Sequence, residues 1–573
     1  MIKSGLFSLI VFLFSVIVCS GQQKINQGVF YLNDLQYQKA RNFFIDQLKT
    51  SPADVRSSCS LGDTYLALQI RDSAKLCYQK AQSLDPKSPF PLIGLGRIAF
   101  VEDDVPAELD YFERARKMDR KNPEVYCEIA KGCISLTKKD TTTASKFLSL
   151  GLELNTNYAP LHIVFGDYEL LCHRHGSATN AYQRAYYYDP NSALAYRKLG
   201  VIHTYARAYR DALNALVKSV ELNNDQILVY KNLGDLYYLI GKYPEAEKNY
   251  QIYMSRAEIT YEDRERYAII LFFNKRYPEA AKLLEDTLNH KLDVSVLFRI
   301  RGYIAYETGE YSKGVEYMSK FFKLHDPEKN IVSDYIYYSR LLQKAGKDTL
   351  AIRNYNKALA LDSTKTDIYD ELAKLYTSNK MHLDAVANYK KMIAIGADKV
   401  STYFMIGKEY SYAGEIYRQK YDSLYALQRS NNIPFTDSTS VNNLKRLYFQ
   451  MADSAFLIVT ALNLKYAGGF IWRGRLNALL DPEAEKTDAK EAYEKALGIL
   501  EPGDVNKNRR SMIECYRYLG SYYFLSSERL FKADIKQSEA LKATSIDYFR
   551  KILKLDPNDT QALDVFKKLK IAP

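Results

Sequence analysis

The sequence predicts an all-α fold built as a long array of repeated helical units. Small and aromatic residues return with a 34-residue period through nearly the whole chain, and a fixed period of this length marks a repeat architecture. Two positions of the period are small in most units, as closely packed helices require. Prolines at 52, 86, 190 and 557 stand where one unit ends and the next begins, because proline cannot continue a helix.

The register can be followed unit by unit. Leu61, Gly62 and Tyr65 precede Ala74, Tyr78, Ala81 and Pro86, and 34 residues later Leu95 and Gly96 recur. Tyr196, Leu199 and Gly200 lead to Ala212, and Tyr230, Leu233, Gly234 and Tyr237 lead to Gly241, Tyr243, Ala246 and Tyr250. Anchoring each unit on its small residue at position 8 places starts near 21, 55, 89, 123, 159, 193, 227, 261, 295, 332, 366, 400, 467 and 513. Gly28, Gly62, Gly96, Gly166, Gly200, Gly234, Gly407, Gly474 and Gly520 share that position, and Ala40, Ala74, Ala178, Ala212, Ala246 and Ala385 share position 20. A glycine inside a helix costs about 1 kcal/mol against alanine, so its recurrence demands a packing reason. Large residues at position 24, among them Phe44, Tyr78, Phe112, Tyr182 and Tyr250, fill the space between units.

On these residues and this spacing the chain resembles the tetratricopeptide repeat (TPR) family. The resemblance implies helix–turn–helix units, here about 14, stacked into a right-handed superhelical solenoid. It also implies that the first helix of each unit, helix A, faces a concave groove that binds proteins or peptides. The family often carries tryptophan at position 4, where this chain has Tyr126, Tyr196, Tyr230, Tyr335, Tyr369, Tyr403 and Tyr516.

Residues 1–21 form a separate segment. Lys3 precedes an apolar run from Leu6 to Val18, and Cys19-Ser20-Gly21 offers small residues for cleavage before Gln22. Such a run is too short to span a membrane comfortably, and the pattern reads as a signal peptide. Cys19 is also where a bacterial lipoprotein carries its lipid, although Val18 departs from the small residue expected before it. The expected organisation is therefore a signal peptide at 1–21, a TPR array at 22–410, an insertion at 411–450 and C-terminal units at 451–573. The insertion begins with Glu415 to Arg429, which can prolong helix A. It continues with a turn-rich stretch from Asn431 to Ser440, expected to be mobile. The last unit closes late, at Ser545, Phe549 and Pro557, and Thr560 to Lys570 reads as a capping helix with Leu563, Phe566 and Leu569 at helical spacing.

Composition narrows the function. The net charge is +12, but Lys and Arg are mixed with Asp and Glu along the chain, which describes a solvated helical surface rather than a nucleic-acid face. No phosphate-binding glycine loop, His-Glu-x-x-His pair or nucleophile elbow occurs. Cys172, His173 and His175 are the one cluster resembling a metal site, and residues two apart do not face each other on a helix. Neither catalytic, cofactor-binding nor metal-binding residues are expected, and the chain is not expected to be an enzyme. Cys59, Cys77, Cys127, Cys133, Cys172 and Cys515 show no disulfide framework spacing and read as small buried thiols.

The family's groove-facing positions of helix A carry over to Arg197, Lys231, Asp235 and Tyr238 in two adjacent units, where Lys198 and Asn232 join Arg197 and Lys231 in a polar patch, and to Asp370, Lys374, Phe404 and Lys408 in two later ones. Some family members grip a C-terminal carboxylate with a Lys/Asn/Arg clamp. Here Lys231 and Asn232 fit, but Asp235 stands where an asparagine is expected, so the clamp is incomplete. The resulting expectation is an exported scaffold in the cell envelope, in the periplasm or on the periplasmic face of the outer membrane. Its partners would be other proteins, with no nucleic acid. The alternative is an accessory subunit of an outer-membrane secretion or assembly complex, held by a lipid at Cys19. The Tyr-, Lys- and Asn-rich composition resembles exported TPR proteins of Bacteroidota.

Overall fold

A computed structural model of the protein describes residues 27–135, 139–288, 295–431 and 436–572. The signal peptide expected at 1–21, with Cys19, and residues 432–435 of the insertion lie outside the described residues. Among the described residues every regular element is helical, and none of these helices is long and apolar enough to cross a membrane.

The helices pair into hairpins, each a helix A followed by a helix B. The chain divides into two compact units at Ile304 and Ala305. In unit 1 the helix over 27–33 pairs with Tyr37–Thr50, and Val55–Ala67 with Arg71–Leu84. Phe90–Val101 and Val105–Met118, Pro123–Ser135 and Thr141–Leu154, and Ala159–Leu171 and His175–Tyr188 form the third to fifth repeats. Ala193–Tyr205 and Tyr209–Leu222, Ile227–Leu239 and Tyr243–Arg256, and Tyr261–Phe273 and Tyr277–Leu288 form the sixth to eighth. Helix Ser295–Glu307 spans the unit boundary and precedes Tyr311–Leu324. Unit 2 continues with Val332–Lys344 and Asp348–Leu361, then Thr366–Ser378 and His382–Ala394. Lys399–Asn431 and Thr436–Leu462, Ala467–Leu480 and Asp488–Leu500, and Val505–Leu530 and Ile535–Leu555 complete the array, with Thr560–Leu569 behind them.

The repeated glycine and the repeated aromatic meet each other. A β-carbon added at Gly62 would lie 2.5 Å from the Tyr78 ring, and one added at Gly234 would lie 2.3 Å from the Tyr250 ring. Tyr78, Tyr182, Tyr250, Tyr355 and Tyr389 are among the largest fully buried side chains, so position 8 is small because position 24 fills the space above it. The turns are equally regular. Position 15, just after helix A, adopts the left-handed region at Leu35, Gln69, Asp103, His173, Arg207, Lys275 and Lys380. His173 thus belongs to a repeated turn rather than to a special site.

The insertion prolongs helix A through Glu415 to Arg429 and differs from expectation in its turn-rich stretch. Its helices run 33 residues (Lys399–Asn431) and 27 residues (Thr436–Leu462), so Asn431 and 436–440 of the expected turn-rich stretch are helical. Ser438 and Val441 are buried, and this packing overrides the turn preference of Ser, Thr and Asp, residues that also suit helix starts. Gly414 lies against Phe449 just as Gly407 lies against Phe456, so the hairpin repeats its own close approach two turns further on. In the last repeat, helix A starts at Val505 rather than near 513, because Asp504 accepts hydrogen bonds from the Asn506 and Lys507 amides.

Candidate protein-binding face

Three aspartates directly follow the small residue of helix A: Asp63, Asp167 and Asp235. In each case the hydroxyl of the same repeat's buried tyrosine donates to that carboxylate. Tyr78 Oη lies 2.7 Å from Asp63, Tyr182 Oη 2.6 Å from Asp167, and Tyr250 Oη 2.8 Å from Asp235. A basic residue of the next repeat completes each group. Arg97 pairs with Asp63 at 2.7 Å, Lys198 with Asp167 at 2.8 Å, and Arg266 with Asp235 at 3.5 Å.

In unit 2 the same triad appears with acid and base exchanged between repeats. Arg340 pairs with Glu371 of the following repeat, and Tyr355 donates to that glutamate at 2.7 Å. Arg475 pairs with Glu514 at 2.6 Å, and Tyr493 reaches it at 3.3 Å. The helix A faces are therefore laced by tyrosine–carboxylate–cation groups that bridge neighbouring repeats. Such hydrogen bonds satisfy buried tyrosine hydroxyls that would otherwise cost about 1–3 kcal/mol each.

Arg97 is the most enclosed of the cations. It is 8% exposed; it also binds Glu128 at 2.9 Å and donates to that residue's carbonyl at 2.6 Å. Burial opposes its charge, but Asp63 and Glu128 more than offset this and hold the guanidinium firmly protonated.

The ladder takes up two of the expected binding residues, Lys198 and Asp235. Arg197 is buried, and its Nε has no hydrogen-bond partner among the described residues. Burial pulls its pKa down against the fields of Asp34 and Asp167. Lys198 is held by Asp167. Lys231 pairs with Asp263 at 2.6 Å, and the Asn232 amide oxygen is buried with no partner among the described residues. Burial raises the Asp235 carboxyl above its ordinary value, against the hydrogen bond from Tyr250. Tyr238 packs on Tyr243 and Phe273, with Arg266 over its ring.

In unit 2, Asp370 and Lys374 pair with each other at 2.6 Å on one exposed helix surface. Phe404 packs edge-on to Phe456 and Tyr466, and Lys408 lies over Tyr412. Arg197 and Lys198 thus share the field of Asp167, and Lys231 and Asp235 lie beside each other one repeat on, whereas Phe404 belongs to repeat packing. Sequence reasoning missed the ladder, although the Gly-Asp dipeptides at 62–63, 166–167 and 234–235 were its visible trace. All six cysteines in the described residues are free thiols, and no group of three or more His, Cys, Asp or Glu able to hold a metal occurs there.

The comparisons agree with this architecture. A sequence profile of the tetratricopeptide repeat matches residues 55–88. A TPR repeat-containing protein of Methanocaldococcus jannaschii is 25% identical over 320 residues, 54% of this chain and 51% of its own length. Superkiller complex protein 3 of Mus musculus is 22% identical over 272 residues, 40% of this chain and 17% of its own. The chain therefore matches about half the length of the first relative and far less of the second. Among solved structures, the C-terminal part of a TPR repeat-containing protein from Cytophaga hutchinsonii shares 25% identity, with a TM-score of 0.38 over 52% of this chain and 98% of that one.

Proposed function

We propose that this chain, which is similar to tetratricopeptide repeat proteins, is an exported scaffold that binds other proteins or peptides in the cell envelope through its helix A faces. The observation that carries the reading is the ladder. It fixes neighbouring helices A to one another, so that the side chains between its rungs stand on a pre-organised surface. Pre-organisation lowers the ordering cost that a binding face must otherwise meet. Export rests on the apolar run from Leu6 to Val18 and the small residues up to Gly21.

A second reading, a lipid-anchored accessory subunit of an outer-membrane assembly, is favoured by one observation: Cys19 closes the apolar run and Ser20 follows it. Intact-mass analysis of the protein purified from the envelope separates the two. The exported scaffold predicts a free N-terminus at or near Gln22. A mass that retains Cys19 with added acyl chains would favour the anchored subunit, and an uncleaved Met1 would contradict export by this signal.

A further inference from the structure

Asp34, in the turn of the first repeat, makes contacts that its place in the chain does not suggest. Its carboxylate accepts hydrogen bonds from the amides of Ile227 at 2.6 Å and Leu228 at 3.1 Å. These are the first two residues of the seventh repeat's helix A, Ile227–Leu239. The residue that should cap this helix, Gln226, makes no side-chain cap bond, because its amide oxygen instead accepts from Ser219 Oγ at 2.9 Å. Asp34 supplies the missing cap from 193 residues away. Three more contacts secure it. The Gln38 amide donates to Glu258 at 2.6 Å, Lys39 Nζ to the Arg256 carbonyl at 2.9 Å, and Lys131 Nζ to Asn33 Oδ1 at 3.1 Å. Gln36 steadies the Asp34 carboxylate at 2.9 Å.

These contacts fold unit 1 back on itself. Val29 and Leu32, on the first helix, line a cavity of about 170 Å³ together with Cys59, Phe90, Arg97 and Glu128 from the helices A of the second to fourth repeats. The first repeat therefore stands over the face the ladder builds. Its seam with the fifth to seventh repeats is gapped. A cavity of about 520 Å³ opens there between Asn33, Asp34, Asp189, Asn191, Asn223 and Gln226. A seam held by a few hydrogen bonds around open space, rather than by a packed core, has little to resist local opening.

We propose that the first repeat is a latch, held by Asp34 on the amides of Ile227 and Leu228, which must open before a polypeptide can reach the helix A faces of the second to fourth repeats. The proposal concerns the regulation of the binding face and rests on the scaffold reading for its purpose, but its test needs no partner.

Hydrogen exchange on the full chain reads the latch directly. In Asp34→Ala, exchange at Ile227 and Leu228 should accelerate about tenfold, the scale of losing a helix cap. Asp34→Asn keeps one acceptor oxygen, whereas Ile227 and Leu228 each use a different oxygen of the carboxylate, so its exchange should fall between wild type and Asp34→Ala. The amides of Arg56 and Ser57, capped locally by Asp54, serve as the internal control. N-ethylmaleimide labelling of buried Cys59, followed by peptide mass spectrometry, reads the covered face and should be fastest in Asp34→Ala. Unchanged exchange at Ile227 and Leu228, equal acceleration at Arg56 and Ser57, or unchanged Cys59 labelling would each overturn the latch. A latch that passes these tests in a protein that captures no polypeptide would leave the scaffold reading, not the latch, at fault.

Discussion

Gly234→Leu should lower the melting temperature sharply and loosen the sixth to eighth repeats first. Any β-carbon at this position falls 2.3 Å from Tyr250 Cδ2, while the Ala246 carbonyl stands 3.4 Å away. The obstacle is thus the buried ring, before the backbone of helix B. Tyr250 has no room to retreat, because it is fully buried and its hydroxyl is tied to Asp235. Overpacking of a well-filled core costs about 1–3 kcal/mol, and displacing Tyr250 also takes its hydroxyl from Asp235, which then keeps only the longer contact with Arg266, so the upper end of that range is expected. Repeats contact mainly their neighbours, so hydrogen exchange should show the damage spreading from this junction. Gly176→Leu is the matched control, since a β-carbon there meets nothing within 4 Å, and leucine is the better helix former. Circular dichroism melts of the two variants should separate clearly. Equal melting temperatures would mean that the packing register is wrong.

Arg97→Met is the second large effect. The side chain fits the space, but its loss leaves Asp63 and Glu128 without their shared cation inside a half-buried network that also holds Tyr78. Removing one partner of a buried ion pair costs about 3–5 kcal/mol, because the remaining charges stay uncompensated. Asp63 and Glu128 keep some contact with water, their side chains being 24% and 28% exposed, so about 3 kcal/mol is expected. Lys313→Met, which breaks the surface pair with Glu310, should change stability little. Chemical denaturation of both variants checks the contrast. A small effect at Arg97 would show that the ladder is decoration on a fold held by its aromatic core alone.

The two predictions differ in how far they could be read from the amino-acid sequence. Gly234, Ala246 and Tyr250 were legible because their packing lies within one repeat and recurs with its period. The Arg97 network was not, because its members lie in three successive repeats and carry opposite signs in different places. Arg97 serves two acids, whereas Lys198 serves Asp167. Periodicity reports which residues share a position, and it is silent on which charges meet across a junction.

The expected groove residues show the same limit. Lys231 and Asp235 stand at family binding positions, yet each spends its charge inside the protein, on Asp263 and on Tyr250 and Arg266. The Asp34 closure was further out of reach, since it depends on small rotations accumulated over six repeats. In the insertion, local composition misled: Ser438 is buried in a helix where turn-forming residues cluster. There the long-range packing of the two helices outweighed intrinsic preference.

The central claim is that a polypeptide partner lies along the helix A faces. Site-specific photo-crosslinking in cells tests it most directly, with the photoreactive residue placed at Lys374 or Lys408 on helix A, and at Leu76 or Leu350 on exposed helix B surface. The account predicts discrete protein adducts from the helix A positions and none from the helix B positions. Adducts only from Leu76 or Leu350, or none from either helix A position, would contradict it.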